Sequence, residues 1–202
     1  GKSTLVFQGL RSQIEQNISQ ATDRTGLQRL IVVDQSPIGR TPRSTPATAT
    51  GILDPIRELF AQTRLAKSRG WSKSHFSYNT KEGRCPICEG RGATLIEMHF
   101  LSDVWVRCTN CDGSRYDERT LDITWNGLNI AEVLNLTAKE ALSHFQAHRR
   151  LAPKLKALVE VGLGYLRLGQ PANELSGGES QRLRLATELA KGARAKESCF
   201  LL

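Results

Sequence analysis

The sequence has no long hydrophobic run, and no apolar stretch approaches the roughly 20 residues that a membrane-spanning helix requires. It also lacks a basic N-terminal segment followed by an apolar stretch, which is the pattern of a secretory signal. Both absences argue against a membrane-embedded or secreted protein. The expected location is therefore the cytoplasm.

Acidic residues are the minority among the charged residues, with 20 Asp and Glu against 28 Lys and Arg, a net charge of +8 and a pI of about 9.5. This balance favours an anionic partner such as nucleic acid, although a solvated basic surface gives the same composition. The 202 residues are 39% apolar and 24% charged, which is typical of a globular chain whose core needs no disulfides. The length fits one domain, or one domain with an inserted module.

Positive charge is concentrated between residues 64 and 91, where the sequence contains seven Lys and Arg residues but only two acids, Glu82 and Glu89. Trp71, Phe76 and Tyr78 are interleaved with the cations, a pattern that suits phosphate contacts together with base stacking. The alternative is that these aromatic side chains pack beneath a neighbouring module. The candidate DNA-binding residues are Lys67, Arg69, Lys73, Arg84 and Arg91.

Four of the five cysteines form two CxxC pairs, Cys85 with Cys88 and Cys108 with Cys111, with 19 residues between the pairs. A CxxC turn directs two thiolates at one ion, and two such turns complete a tetrahedron around zinc. Each pair is followed by an acid and a glycine, which allows a tight reversal behind the second cysteine. The sequence therefore predicts two similar knuckles, joined by a small hairpin, around a structural zinc ion.

Other interpretations of the cysteines are weaker. Disulfides are disfavoured in a reducing compartment, and redox CxxC motifs occur singly near a βαβ unit. Four thiolates fill the zinc shell, so His99, between the pairs, is expected to be an ordinary surface or core histidine. Cys199 stands alone and is expected to be a buried core residue.

Two motifs indicate nucleotide binding. Gly1, Lys2, Ser3 and Thr4 match the end of a P-loop, in which Lys2 would bind the β- and γ-phosphates and Ser3 would ligate Mg²⁺. Residues 175–182, LSGGESQR, match the signature of ABC-type ATPases. There Ser176, Gly177, Gly178 and Glu179 would present unpaired amides at a helix N-terminus to a γ-phosphate, although a plain capping turn has the same local form.

Periodicity predicts a helix over residues 1–18, a strand at 30–33, a loop over 37–51 and a helix that starts at Asp54-Pro55. Strands are predicted at 93–100, 104–107 and 121–125, the last before an Asn126-Gly127 turn. Helices are predicted at 130–135, 138–147, 153–161 and about 179–191. Gln35 follows the first predicted strand and is the candidate catalytic residue. The alternative is an ordinary loop glutamine.

The order of P-loop, Gln35, four-cysteine module and signature resembles the UvrA family of bacterial nucleotide excision repair. Residues 33–44, VDQSPIGRTPRS, are similar to the second Gln loop of that family. Further stretches that carry the resemblance are residues 76–79, 97–101 and 161–170. The resemblance covers essentially the whole chain.

The resemblance implies an ATP-hydrolysing, DNA-binding protein that works as a dimer and loads UvrB onto damaged double-stranded DNA. It implies ATP, magnesium and zinc as cofactors, a role for Gln35 in sensing Mg²⁺ and the attacking water, and a zinc module involved in discriminating damage. The implied fold is α/β, an ABC-type P-loop NTPase core with an inserted zinc module and a helical signature subdomain. Each ATP would lie between one P-loop and the signature of another domain, so that Lys2 and Ser176 would serve different nucleotides.

We therefore predict a partial nucleotide-binding core at residues 1–67, a zinc-binding insertion at 68–119, and a signature subdomain at 120–202 whose last residues resemble the start of a Walker B strand. The 202 residues contain the P-loop from its second glycine onward and end before the position expected for a Walker B Asp-Glu. This chain by itself is expected to hydrolyse no ATP. The alternatives are a zinc-dependent chaperone of the DnaJ type, since residues 85–92 fit its CPxCxGxG repeat, and a UvrA-like drug-resistance paralogue.

Overall fold

The computed structural model describes residues 14, 16, 29–33, 36, 38–39, 41–98, 100, 104–191 and 198–201. Gly1 to Thr4, Gln35, His99 and most of the helix predicted at 1–18 lie outside these residues. Within them, a parallel strand pair joins β1 (Arg29–Val32) to β6 (Ser198–Leu201), so Leu30 lies beside Cys199. Between these two strands the chain builds a mainly helical body and the cysteine module. The fold is thus a mixture of helices and strands.

The region predicted as a loop, residues 37–51, contains one short helix and is followed by others. That prediction was wrong for α1 (Pro46–Ala49), because Thr45 caps it and the proline occupies the first helical position. Helix α2 (Leu53–Ala61) begins before the predicted Asp54-Pro55 start, since Ile52 and Leu53 are buried. Helix α3 (Arg64–Ser68) and a 3₁₀-helix (Lys73–Phe76) lead into the cysteine module.

The cysteine module contains one antiparallel hairpin, β2 (Ala93–Ile96) and β3 (Val104–Arg107). After it, α4 (Glu118–Leu121) occupies the beginning of the predicted strand 121–125, and only β4 (Thr124–Trp125) is extended. Asn126 and Gly127 both have positive φ, 49° and 82°, which forms the predicted tight turn to β5 (Leu128–Asn129).

The remaining helices lie close to their predicted positions. They are α5 (Ile130–Asn135), α6 (Ala138–His144), α7 (Ala152–Glu160) and, after a 3₁₀-helix (Ala172–Glu174), α8 (Gly177–Leu189). Helix α7 packs against both α6 and α8. Three of these helices start with the same reciprocal cap, in which a polar N-cap residue pairs with a glutamate three residues later.

One hydrophobic core connects the helices with the ends of the cysteine module. Phe76 and Tyr116, which lie within the predicted zinc insertion, are buried in the same cluster as Phe60, Ile123 and Leu155. Burial raises the pKa of Tyr116 well above its ordinary value, and its hydroxyl donates to the Phe76 carbonyl at 3.3 Å. The described residues contain no helix long and apolar enough to cross a membrane.

Candidate metal centre and signature turn

The four cysteines of the two CxxC pairs converge on one point. Their sulfur atoms all lie within 4.8 Å of one another, and the Cys88 and Cys111 sulfurs are 3.6 Å apart. A tetrahedron of thiolates with metal–sulfur bonds of about 2.3 Å requires sulfur separations of roughly 3.8 Å. All four are free cysteines, and three of them are buried. The donor set and its geometry therefore fit a structural zinc ion.

The backbone explains how the two pairs come together. Behind the second cysteine of each pair, the acid and the glycine both adopt positive φ: 51° and 80° at Glu89-Gly90, and 45° and 75° at Asp112-Gly113. A β-carbon on Gly90 would collide with the Tyr78 carbonyl oxygen, so only glycine fits there. Cys108 N donates to the Gly92 carbonyl at 3.0 Å, which ties the second knuckle to the first.

The thiol groups differ in acidity. Burial raises the pKa of Cys85, but hydrogen bonds from the Cys88 and Ile87 amides and the Asn110 side chain outweigh it and lower the value to about 7. Burial raises the pKa of Cys111 to about 12, and that of Cys88 in the same direction. Because a bound metal holds thiols as thiolates, metal affinity at this centre should fall as the pH is lowered.

The candidate DNA-binding arginines beside the knuckles are engaged with one carboxylate. Arg84 and Arg91 lie 3.1 and 3.7 Å from Glu89, and Arg43 lies 3.8 Å from the same side chain. Arg43 also donates to the Glu89 carbonyl at 2.8 Å. Three guanidinium groups around one carboxylate leave a net positive surface at the first knuckle. Arg43 was not among the predicted site residues.

The other candidates, Lys67, Arg69 and Lys73, have no ion pair with Glu89 among the described residues. Arg69 pairs with Asp122 at 3.1 Å and lies 5.1 Å from the Trp71 ring, whereas Lys67 and Lys73 are exposed. Phe76 and Tyr78 are fully buried, which corrects the expectation that they could stack on bases. They are buried because the core and the knuckles close over them, as the alternative interpretation had it.

The signature residues lie at an exposed helix start. Ser176 is the N-cap of α8, a helix of 13 residues, and Gly177 and Gly178 form its exposed first turn. Ser176 Oγ accepts from the Glu179 amide at 3.3 Å, and the Glu179 carboxylate accepts from the Ser176 amide at 2.8 Å. The amides of an exposed helix start favour an anion.

Tyr165 is a further residue at this turn that the sequence analysis missed. Its hydroxyl donates to the Glu179 carboxylate at 2.6 Å, although the two lie 14 positions apart. This hydrogen bond is the first cause of a lowered pKa of Glu179 and a raised pKa of Tyr165. No sequence pattern marks the contact, since it depends on how the 163–170 loop packs beside α8.

The P-loop residues and Gln35 lie outside the described residues, but Ser36, which follows Gln35 in the sequence, contacts the signature helix. Arg184 donates to the Ser36 carbonyl at 3.0 Å and to its hydroxyl at 2.7 Å. Gln181 donates to the Val33 carbonyl at 3.3 Å. Val33 and Ser36 therefore both contact α8.

Comparison with known proteins gives a consistent result. The chain is 51% identical over 212 residues to UvrABC system protein A of Streptococcus pyogenes serotype M1, covering 100% of this chain and 22% of that protein. It is 52% identical over 211 residues to the protein of that name from Listeria monocytogenes serotype 4b (strain F2365), with the same coverage. No protein-family model matches the chain.

Among solved structures, UvrA2 from Deinococcus radiodurans superposes with a TM-score of 0.88 and 49% sequence identity, covering 99% of this chain and 25% of that one. The chain is thus a mixed α/β protein with four clustered cysteines whose geometry fits a metal ion. It belongs to the UvrA family, and it spans 22% of the length of the curated relatives it matches.

Proposed function

We propose that this chain is part of the ATP-dependent damage-recognition protein of bacterial nucleotide excision repair. The observation that carries the proposal is the combination of a four-thiolate cage with an exposed Ser-Gly-Gly helix start, in a chain 51% identical to UvrABC system protein A. The whole protein would bind damaged double-stranded DNA as a homodimer and load UvrB. Zinc would act structurally, because four thiolates leave no open coordination position.

In the nucleotide part of the proposal, Ser176 and the amides of Gly177 and Gly178 bind the γ-phosphate of one ATP. Lys2 and Ser3, with Mg²⁺, bind another ATP, and Gln35 positions the attacking water there. The contacts of Ser36 and Val33 with α8 support this assignment, because these two residues are close to Gln35 in the sequence. The fold in this proposal is a P-loop NTPase core, divided as 1–67, 68–119 and 120–202.

The test uses the full-length protein with Ser176→Ala, and with Ser143→Ala as the control, an exposed serine on α6. Loss of a phosphate-binding hydroxyl should lower DNA-stimulated ATP turnover about 10-fold, and the control should keep the wild-type rate. Equal turnover of the Ser176→Ala protein and the wild type would remove the signature turn from the proposal. The isolated 202-residue chain should show no magnesium-dependent turnover.

A UvrA-like paralogue is the second candidate, because the superposed solved structure is a UvrA2 at 49% identity. Complementation of a repair-deficient strain after ultraviolet exposure separates the two. Restored survival supports the repair function, and unchanged sensitivity with stable expression supports the paralogue. Similarity to UvrABC system protein A across the whole chain leaves no support for the chaperone alternative.

A further inference from the structure

A cleft of about 880 Å³ separates the cysteine module from the helical body. One wall is the inner face of the β2–β3 hairpin. Side chains alternate along a strand, so Trp105 and Arg107 share this face with their cross-strand partners Leu95 and Ala93. Trp105, Arg107 and Ala93 line the cleft, and Trp105 keeps 41% of its surface exposed. An accessible indole ring therefore faces the cleft.

Two glycines of the knuckles make room for two arginines in this wall. A β-carbon on Gly113 would lie 2.9 Å from Arg107 Nε, and one on Gly92 would lie 3.0 Å from Arg115 Cγ. Arg107 is further fixed by Asp112, whose carboxylate lies 3.0 Å from Nε and whose carbonyl accepts at 2.7 Å. Arg107 nevertheless remains well exposed, with guanidinium N–H groups left to donate.

Arg115 is the unusual member of the pair. It is only 6% exposed, its Nε has no hydrogen-bond partner, and in the described part of the chain no carboxylate lies within ion-pair distance of it. The Tyr78 ring, 5.2 Å away, gives partial compensation. The thiolate cage, in which the Cys111 sulfur accepts from the Arg115 amide, lies close to this cation, but its positive field and its unpartnered Nε still favour an anionic acceptor in the cleft that Arg115 lines.

The acids in the cleft leave this field largely in place. Asp112 is paired with Arg107, and the Glu132 carboxylate accepts from the Asn129 amide at 2.7 Å as a helix cap. Glu174 is the third acid that lines the cleft, and the lining also includes four arginines, Arg91, Arg107, Arg115 and Arg167. The facing wall adds side-chain amides, which suit the hydrogen-bonding edges of a base: Asn129, Asn135, Gln170 and Asn173.

We propose that this cleft binds one nucleotide unit, with its base stacked on Trp105 and its phosphate against Arg107 in the field of Arg115. The volume is that of a small-ligand site rather than of a single ion. The unit could belong to a DNA strand or to a free nucleotide, since both present a base and a phosphate. The DNA form rests on the proposed function, whereas the free-nucleotide form is independent of it.

The test measures binding to the zinc-loaded full-length protein in two arms. One arm uses a fluorescein-labelled oligonucleotide, single-stranded and duplex, followed by anisotropy; the other uses free dAMP, followed by calorimetry. The variants are Trp105→Leu, Trp105→Phe and Arg107→Gln, with Arg149→Gln as a control because Arg149 is exposed and does not line the cleft. Zinc content and far-ultraviolet circular dichroism confirm that each variant is folded.

Trp105→Leu and Arg107→Gln should each weaken binding on the order of 10-fold in at least one arm, with Trp105→Phe less affected and Arg149→Gln unchanged. A loss confined to the oligonucleotide arm identifies a DNA strand, and a loss with dAMP identifies a free nucleotide. Wild-type affinity of both variants in both arms overturns the inference. If the wild type binds no DNA but its dAMP binding depends on Trp105, the proposed function is wrong and the cleft site is still supported.

Discussion

The hydroxyl of Tyr165 donates a 2.6 Å hydrogen bond to the carboxylate of Glu179, the residue that also caps the signature helix. A carboxylate that accepts this bond and the Ser176 amide is held in its ionised form, because both donors stabilise the negative charge. The signature turn thus has its own anion at the helix start. Its charge state should depend on Tyr165.

The first prediction follows from that contact. Because the pKa of Glu179 is lowered in the folded chain, the pair contributes stability above the ordinary glutamate pKa, and the contribution is lost as the pH falls through the lowered value. Tyr165→Phe should move the Glu179 pKa back towards its ordinary range. Carbon-detected NMR titration of the Glu179 carboxyl measures this. Glu140, whose pKa is also lowered but by Thr137, is the internal control and should not move.

The second prediction concerns the metal. Cys88→Ser should lower bound zinc well below one ion per chain and remove hydrogen-exchange protection across residues 84–116, because the knuckles have little apolar core of their own. Cys199→Ser is the matched control for loss of a thiol and should keep the full zinc content. Chelation of the wild type should reproduce the Cys88→Ser pattern. Retained protection in the metal-free chain would show that the module folds without zinc.

The third prediction compares two glycines to distinguish the cost of backbone strain from the cost of a steric clash of an added β-carbon. Gly90 and Gly127 have nearly the same φ, 80° and 82°, but a β-carbon on Gly90 would meet the Tyr78 carbonyl, whereas nothing lies within 4 Å of one on Gly127. Gly127→Ala should lower the free energy of unfolding by about 1 kcal/mol, from strain alone. Gly90→Ala should lower it by roughly 3 kcal/mol or more. Equal decreases in the free energy of unfolding, measured by urea denaturation, would contradict a clash between an alanine at position 90 and the Tyr78 carbonyl.

The fourth prediction compares two threonine caps. Thr45 and Thr63 both cap helices, but Thr45 is buried and its hydroxyl also lies 3.1 Å from the Tyr78 hydroxyl. Thr45→Val should cost about 2 kcal/mol of unfolding free energy, since it removes a cap and a buried hydrogen bond. Thr63→Val should cost about 1 kcal/mol, since Thr63 is only half-buried and water can replace its cap and its hydrogen bond to the Phe60 carbonyl. Thermal unfolding of both variants measures the difference, and a smaller loss at Thr45 would argue against the Tyr78 contact.

The fifth prediction addresses DNA contact by the basic surface. Lys73→Glu and Arg84→Glu in the full-length protein should weaken DNA binding and reduce the slope of affinity against salt, because each reverses a positive charge on the surface proposed to meet phosphate, although Arg84 is also paired with Glu89. Lys156→Glu is a suitable control, since Lys156 lies on α7 and pairs with Glu160 at 3.6 Å. If both variants keep the wild-type DNA affinity and salt dependence, Lys73 and Arg84 do not contact DNA.

Patterns with short-range causes could be predicted from the sequence. The cysteine spacing predicted a cluster that the sulfur positions confirm, because each CxxC turn fixes its own pair of thiols. The Asn126-Gly127 turn was predicted for the same reason. The reciprocal caps at Asn129, Thr137 and Ser176 were also readable as a polar residue followed three positions later by glutamate.

Two errors in the predicted elements have different causes. Pro46 was assigned to a loop, but Thr45 caps a helix there, and its hydroxyl lies beside the buried Tyr78, a distant packing partner that no local pattern contains. Leu121 was assigned to a strand, but it is the last residue of a short helix that Asp117 caps, which is a local signal.

The sequence by itself determined the two cysteine pairs that cluster, the helix capped by Ser176 and the family to which the chain belongs, because each is encoded in short motifs. Only the tertiary structure decided which cations are engaged, that Phe76 and Tyr78 are buried, and that Tyr165 meets Glu179. It also decided that Trp105 and Arg107 face a cleft. Contacts between residues far apart in the chain depend on how whole elements pack, and no local pattern contains that information.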